Sequence, residues 1–166
     1  IILLRKKYKQ ELKDKEDAIT RARSNAFKLL ANSSYGYQGF FGARYYCREA
    51  AAATAAFARK AIQDSINAIN KEDYKVIYSD TDSIAFLLNN KTEPETINFL
   101  KKLNEKLPGI MELELEGFFI RGLWVTKRTG DIGAKKKYAL IEKNKRLKIR
   151  GFETVRRNWC GLARET

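Results

Sequence analysis

The sequence predicts an α+β fold: an antiparallel pair of helices first, then an antiparallel sheet with helices packed on it. Three observations carry this reading. Residues 1 to 34 are rich in Lys, Glu, Ala and Leu and break only at the charged "KDKED". Residues 47 to 70 form a long alanine-rich run. After residue 73, β-branched and aromatic residues return in short runs paired about polar turns.

Residues 1 to 16 and roughly 18 to 34 read as two helices, with Asp14 or Asp17 placed to cap the second. Their short link makes them antiparallel neighbours. The stretch "YGYQGFFGA", 35 to 43, sets three glycines among aromatics and predicts a turn, with the helix ending at "NSSYG". "CREAAAATAAFARKAIQDSINAIN", 47 to 70, follows as a helix whose small side chains allow it to lie against a sheet.

Residues 74 to 79 and 83 to 88 predict a hairpin with "DTD" at its tip. "TEPET" opens a helix that "LPG" closes. "MELELEGFFIRGLWV", 111 to 125, alternates apolar and acidic residues as a strand does, and "KYALIE" with "RLKIRGF" predicts a second hairpin around "KNK". Residues 154 to 165 read as a closing helix.

The chain has 166 residues, of which 44% are hydrophobic, enough for one ordinary domain with a core. Lys+Arg 33 against Asp+Glu 20 gives a net charge of +13. Such a field attracts polyanions, nucleic acid first and an anionic membrane surface second. No run of about 18 apolar residues occurs, and the apolar start of "IILLRKKYKQ" precedes its charges, the reverse of a signal peptide. The expected location is cytoplasmic, at the nucleoid in a prokaryote. Cys47 and Cys160 have no C-x-x-C partner and are expected in the core. Histidine is absent, which removes Ser-His and Cys-His triads and H-E-x-x-H sites. The start on Ile1 suggests a piece of something larger.

Four constellations could carry chemistry. Asp80 and Asp82 in "YSDTDS" either form an ordinary polar turn or present two carboxylates to a hard cation such as magnesium. Lys28, Asn32 and Tyr35 in "KLLANSSYG" stand at i, i+4 and i+7, so they share a helical face, as a binding surface or as a solvated stripe. Arg5 and Lys9 lie one turn apart in "RKKYK" and could converge on a polyphosphate or simply face water. The lysines of "KKKYAL", Lys135, Lys136 and Lys137, enter a strand beside Tyr138 and could reach phosphates or minor-groove acceptors without sequence preference.

The order "KLLANSSYG", "YSDTDS", "KKKY" and "RGFETVRRNW" resembles the B family of DNA polymerases, archaeal members especially, over Arg5 to Trp159. The resemblance implies a fingers helical hairpin over 1–40 and the carboxyl-terminal part of the palm over 41–166. It implies that Arg5, Lys9, Lys28 and Asn32 grip the triphosphate of a deoxynucleoside triphosphate, and that Lys28 protonates the leaving pyrophosphate. Tyr35 would lie by the nascent base pair. Asp82, with Asp80 beside it, matches the ligand of two magnesium ions; Glu116, and more weakly Glu114, match auxiliary acids. Lys135, Lys136, Lys137 and Tyr138 match the motif that holds primer-template DNA.

The family's D-x-x-S-L-Y-P-S aspartate, its exonuclease domain and its thumb have no counterpart here, so a larger polymerase chain is the expected partner and no membrane is involved. "RTGDIGA", 128 to 134, looks like an insertion, the link between the finger helices looks short, and Asn158 stands where aspartate is frequent. The split and the excised-segment explanations both fit. A catalytically silent binding or scaffolding subunit is the alternative, and a membrane-surface protein leaves the ordered motifs unexplained.

Overall fold

The computed structural model describes residues 1–14, 17–126 and 133–152, together with Cys160 and Leu162. The "RTGDIGA" segment up to residue 132, Asn158, Trp159 and the expected helix over 154–165, apart from those two residues, lie outside the described residues. The chain divides into two compact units, Ile1–Ala61 and Ile62–Thr166. Among the described residues, four helices and two antiparallel sheets give the α+β class that the sequence predicts.

In the first unit, α1 (Ile2–Asp14) and α2 (Ala18–Gly39) are the expected pair. Asp17 is the N-cap of α2, its carboxylate accepting from the Thr20 backbone N–H at 3.0 Å and the Thr20 hydroxyl at 3.1 Å. Tyr8 stacks on Phe27 at 5.5 Å, and the Arg23 guanidinium lies 5.7 Å from the centre of the Tyr8 ring. Tyr8 and Phe27 both lie near the middle of their helices, and Ile2 and Leu3 at the start of α1 border Ala31 and Ser34 in the second half of α2, so the pair runs antiparallel.

The helix does not stop at Gly36 but continues to Gly39, where the Phe40 N–H caps it by donating to the Tyr37 carbonyl. A single interior glycine costs a helix only about 1 kcal/mol, too little to end one whose neighbours still propagate it. The turn therefore falls at 40–46. Helix α3 (Arg48–Lys71) then begins.

In the second unit, β1 (Lys75–Asp80) and β2 (Ser83–Leu87) pair with Asp80 opposite Ser83 and a bulge between Val76 and Tyr78. Helix α4 (Glu93–Glu105) starts with a capping box: Thr92 accepts from the Glu95 N–H while the Glu95 carboxylate takes the Thr92 N–H at 2.7 Å. Strands β3 (Phe119–Thr126), β4 (Gly133–Glu142) and β5 (Leu147–Arg150) form the second sheet in that order.

The core of this unit surrounds Tyr74. Its ring stacks on Phe99 at 5.2 Å and meets Phe86 edge-on at 5.1 Å, its hydroxyl shares a hydrogen bond with Thr96, and Ile69 and Leu103 complete the cluster. Among the described residues only these three and Leu140 are fully buried apolar side chains. The composition could have supplied a larger core. Ile120 and Leu123 on β3, and Ile77 and Leu87 on the first hairpin, are exposed instead.

Two further expectations are corrected. The strand expected over 111–125 begins only at Phe119; residues 111–118 are not a strand, since among the described residues no strand pairs with them, and Asn104 takes that role for one residue, accepting the Leu113 N–H at 2.8 Å and donating to the Leu113 carbonyl at 3.0 Å. Cys47 and Cys160 are exposed rather than core. Cys47 falls at the turn before α3, where its backbone N–H is needed by the Gln38 carbonyl and its thiol lies 3.8 Å from the Glu49 carboxylate.

Candidate active site

In the first unit, Ser24, Phe27 and Ala31 form the more sheltered face of α2, so Lys28, Asn32 and Tyr35, which fall off that stripe, are exposed along the helix. Arg5 and Lys9 are half-buried one turn apart on α1. The structure thus keeps both sequence-predicted groupings on their own helices, one set of three on α2 and one pair on α1.

In the second unit the two aspartates have different surroundings. Thr81 takes a left-handed backbone, φ 55°, which lets the Asp82 N–H donate to the Asp80 carbonyl at 2.7 Å. The Ser83 hydroxyl donates to the same carbonyl at 3.0 Å. Asp82 is consequently held exposed at the tip. Asp80 is turned inward, its side chain only 12% exposed. Its Oδ1 accepts from the Thr81 hydroxyl at 3.2 Å and its Oδ2 accepts from Lys136 Nζ at 2.7 Å.

The lysine segment is pinned where it meets the hairpin. Lys136 has φ 61°, and its backbone N–H donates to the Tyr78 hydroxyl at 2.8 Å. Its carbonyl lies so close to Gly151, itself at φ 69°, that a Cβ there would stand 2.0 Å from the oxygen. The side-chain hydrogen bond to Asp80, then the Asp80 charge, with smaller help from Tyr78 and Asp82, hold the Lys136 ammonium above the ordinary lysine value.

Beneath this pair, Tyr78 leans on Tyr138 at 5.6 Å and on Trp124 at 6.1 Å. Gly122 makes room for that indole, since a Cβ there would meet Trp124 Cη2 at 2.4 Å. The three rings join the carboxylate hairpin to the three-stranded sheet. Lys137 turns elsewhere, its ammonium 5.4 Å from the centre of the Phe152 ring, and Lys135 belongs to β4.

Glu116 is ion-paired with Lys148, whose ammonium also faces Phe119. Among the described residues no three acidic, histidine or cysteine side chains come together as a metal cage. The donor chemistry at the hairpin tip still suits a hard cation, because magnesium is commonly held by one or two carboxylates with substrate phosphates and water. Asp82 is the open donor and Asp80 the guarded one.

Three residues of this arrangement were not singled out from sequence. Tyr78 stands two positions before Asp80, so the period of a strand places both on one face. Gly151 ends the strand-like "RLKIR" as a bulge or close-approach glycine would. Nothing local announces Trp124.

The whole chain, residues 1–166, matches the model of DNA polymerase family B. It is 38% identical to "DNA polymerase 1" of Pyrococcus abyssi over 170 residues, covering 98% of this chain and 21% of that protein. A "DNA polymerase" of Thermococcus gorgonarius is 41% identical over 172 residues, with the same coverage. One of Thermococcus kodakarensis is 45% identical over 141 residues, which are 81% of this chain and 8% of that protein. The chain therefore spans about a fifth of the length of the first two relatives. With that match over its full length, and the "YSDTDS" hairpin and lysine segment joined as described, the chain belongs to DNA polymerase family B.

Proposed function

We propose that this chain supplies the fingers, residues 1–40, and a carboxyl-terminal portion of the palm, 41–166, to a DNA-directed DNA polymerase that a larger chain completes. The observation that carries the reading is the unequal pair at the hairpin tip, with Asp82 open and Asp80 held by a cation from the lysine segment. A structural turn would have no need to expose one carboxylate while a neighbouring strand orients the other.

In this reading Arg5, Lys9, Lys28 and Asn32 bind the triphosphate of the incoming deoxynucleotide, and Tyr35 packs by the new base pair. Lys28 gives its proton to the departing pyrophosphate. Asp82 and Asp80 hold two magnesium ions together with the larger chain's acid, while Glu116 serves as an auxiliary acid. The chemistry that magnesium supplies when bound is activation of the primer 3′-hydroxyl and neutralisation of the phosphate charge. Lys135, Lys136, Lys137 and Tyr138 hold the primer-template duplex. The residues thus work by positioning and electrostatics.

Primer extension tests this directly, using the chain alone and then mixed with a polymerase fragment that carries the missing aspartate and thumb. Extension only in the mixture, abolished by Asp82→Ala, is the expected result. A second reading, a silent binding subunit, draws support from the Lys136 cation that already neutralises Asp80. Co-purification and primer-template binding without extension would select it.

A further inference from the structure

We infer that Tyr78 is a positioning residue: its hydroxyl sets the main chain of Lys136 so that the Lys136 ammonium is presented at the carboxylate hairpin. Lys136 is the residue that, in the polymerase reading on which this rests, meets the primer-template duplex. The second sheet bulges at this segment. Between the pair Trp124 with Tyr138 and the pair Thr126 with Gly133, β3 contributes Val125 and β4 contributes residues 134–137, so Lys136 falls in a stretch where the ladder to β3 is broken. Its backbone is left-handed, φ 61°, a conformation that a lysine seldom holds unaided. Two contacts hold it there. The Lys136 N–H donates to the Tyr78 hydroxyl at 2.8 Å, and at the other end of the residue the Lys136 carbonyl lies where only a glycine, Gly151, leaves room.

Tyr78 can set the lysine because it is itself fixed. Its ring is 5.6 Å from Tyr138 and 6.1 Å from Trp124, both on the sheet that carries the lysine segment, while its own strand reaches Asp80 two residues later. One side chain therefore ties the main chain of β4 to the strand whose last carboxylate receives the ammonium, Lys136 Nζ to Asp80 Oδ2 at 2.7 Å. A lysine ammonium has three N–H donors, and Asp80 Oδ2 takes one of them, so donors remain at a defined place for the acceptors of a bound duplex. A lysine on a loose segment would surrender its rotamer freedom when the duplex arrives. Here that ordering comes first, and the affinity it would have cost is kept.

Tyr78→Phe keeps the ring and deletes the acceptor. Steady-state primer extension by the full chain mixed with the complementing polymerase fragment, with magnesium and all four deoxynucleotides, is compared for the parent, Tyr78→Phe, Lys136→Ala and the double variant. Tyr78→Phe is expected to raise the KM for primer-template about fivefold, the weight of one hydrogen bond, and to leave the KM for deoxynucleotide unchanged. In the Lys136→Ala background the same substitution is expected to change nothing further, because the hydroxyl acts through the ammonium. An unchanged primer-template KM in Tyr78→Phe overturns the inference while extension by the parent upholds the polymerase reading. Equal losses in both backgrounds, the result of a merely structural hydroxyl, overturn it as well. No extension by the parent mixture removes the polymerase reading, and the role of Tyr78 with it.

Discussion

Lys136 Nζ lies 2.7 Å from Asp80 Oδ2, a contact between residues 56 positions apart that ties the lysine segment to the carboxylate hairpin. A protein cation thereby shares the neighbourhood of the proposed metal ligands. Replacing Lys136 with methionine is expected to strengthen binding of manganese, used as a magnesium surrogate, by a few-fold at low salt, because a like charge is removed from the site. Isothermal titration calorimetry measures this. Asp82→Asn should instead abolish binding, and equal affinities in parent and Lys136→Met would mean that Asp80 takes no part.

The same pair makes an alkaline prediction. The folded Lys136 pKa is raised above 10.5, so its stabilisation is fully present below that value and fades as pH climbs through the folded pKa. Thermal melting of the parent should weaken across that window, and Lys136→Met should flatten this part of the profile.

Glu95 gives the opposite sign. Its hydrogen bonds from Thr92, the backbone one foremost, hold its carboxyl below the ordinary value of 4.5. Its contribution is present above 4.5 and is lost as pH falls through the folded pKa. Glu95→Gln should reduce the acid dependence of melting, while Thr92→Ala, which deletes the cap itself, should cost about 1 kcal/mol at neutral pH in urea titrations.

Gly151→Ala tests how the lysine segment is held. The new Cβ would collide with the Lys136 carbonyl and face a left-handed backbone as well. The strand end must shift, so both a lowered melting temperature and weaker primer-template binding are expected. Gly36→Ala, where the surrounding space is open, should raise helix stability by up to about 1 kcal/mol.

Ile69 is 2% exposed at the centre of a small core. Ile69→Ala should cost about 2–5 kcal/mol. With so few buried neighbours to compensate, the second unit is expected to lose its cooperative unfolding transition, visible as a broadened calorimetric peak.

The parts of this protein that announce themselves in the sequence are those decided locally. The "YSDTDS" hairpin, the "TEPET" helix start, the alanine-rich helix and the antiparallel helix pair all follow from patterns a few residues long. Expectations failed where the outcome depended on a distant partner. "MELELE" has the alternation of a strand but, among the described residues, no strand paired with it, and Cys47 has the chemistry of a core residue but sits at a turn that its backbone is needed to close. The site divides in the same way. Asp82 at the tip was legible from turn chemistry, whereas the Lys136 cation on Asp80 needed two backbones at positive φ and a glycine on a third segment.

Trp124, with Tyr78 and Tyr138 against it, lies one ring away from the Lys136 and Asp80 contact. The chain has only two tryptophans. In a Trp159→Phe background the remaining indole becomes a built-in optical probe: its emission colour and quenching respond whenever a bound ion or duplex rearranges the lysine segment. Site occupancy can thus be followed in real time without attaching a dye.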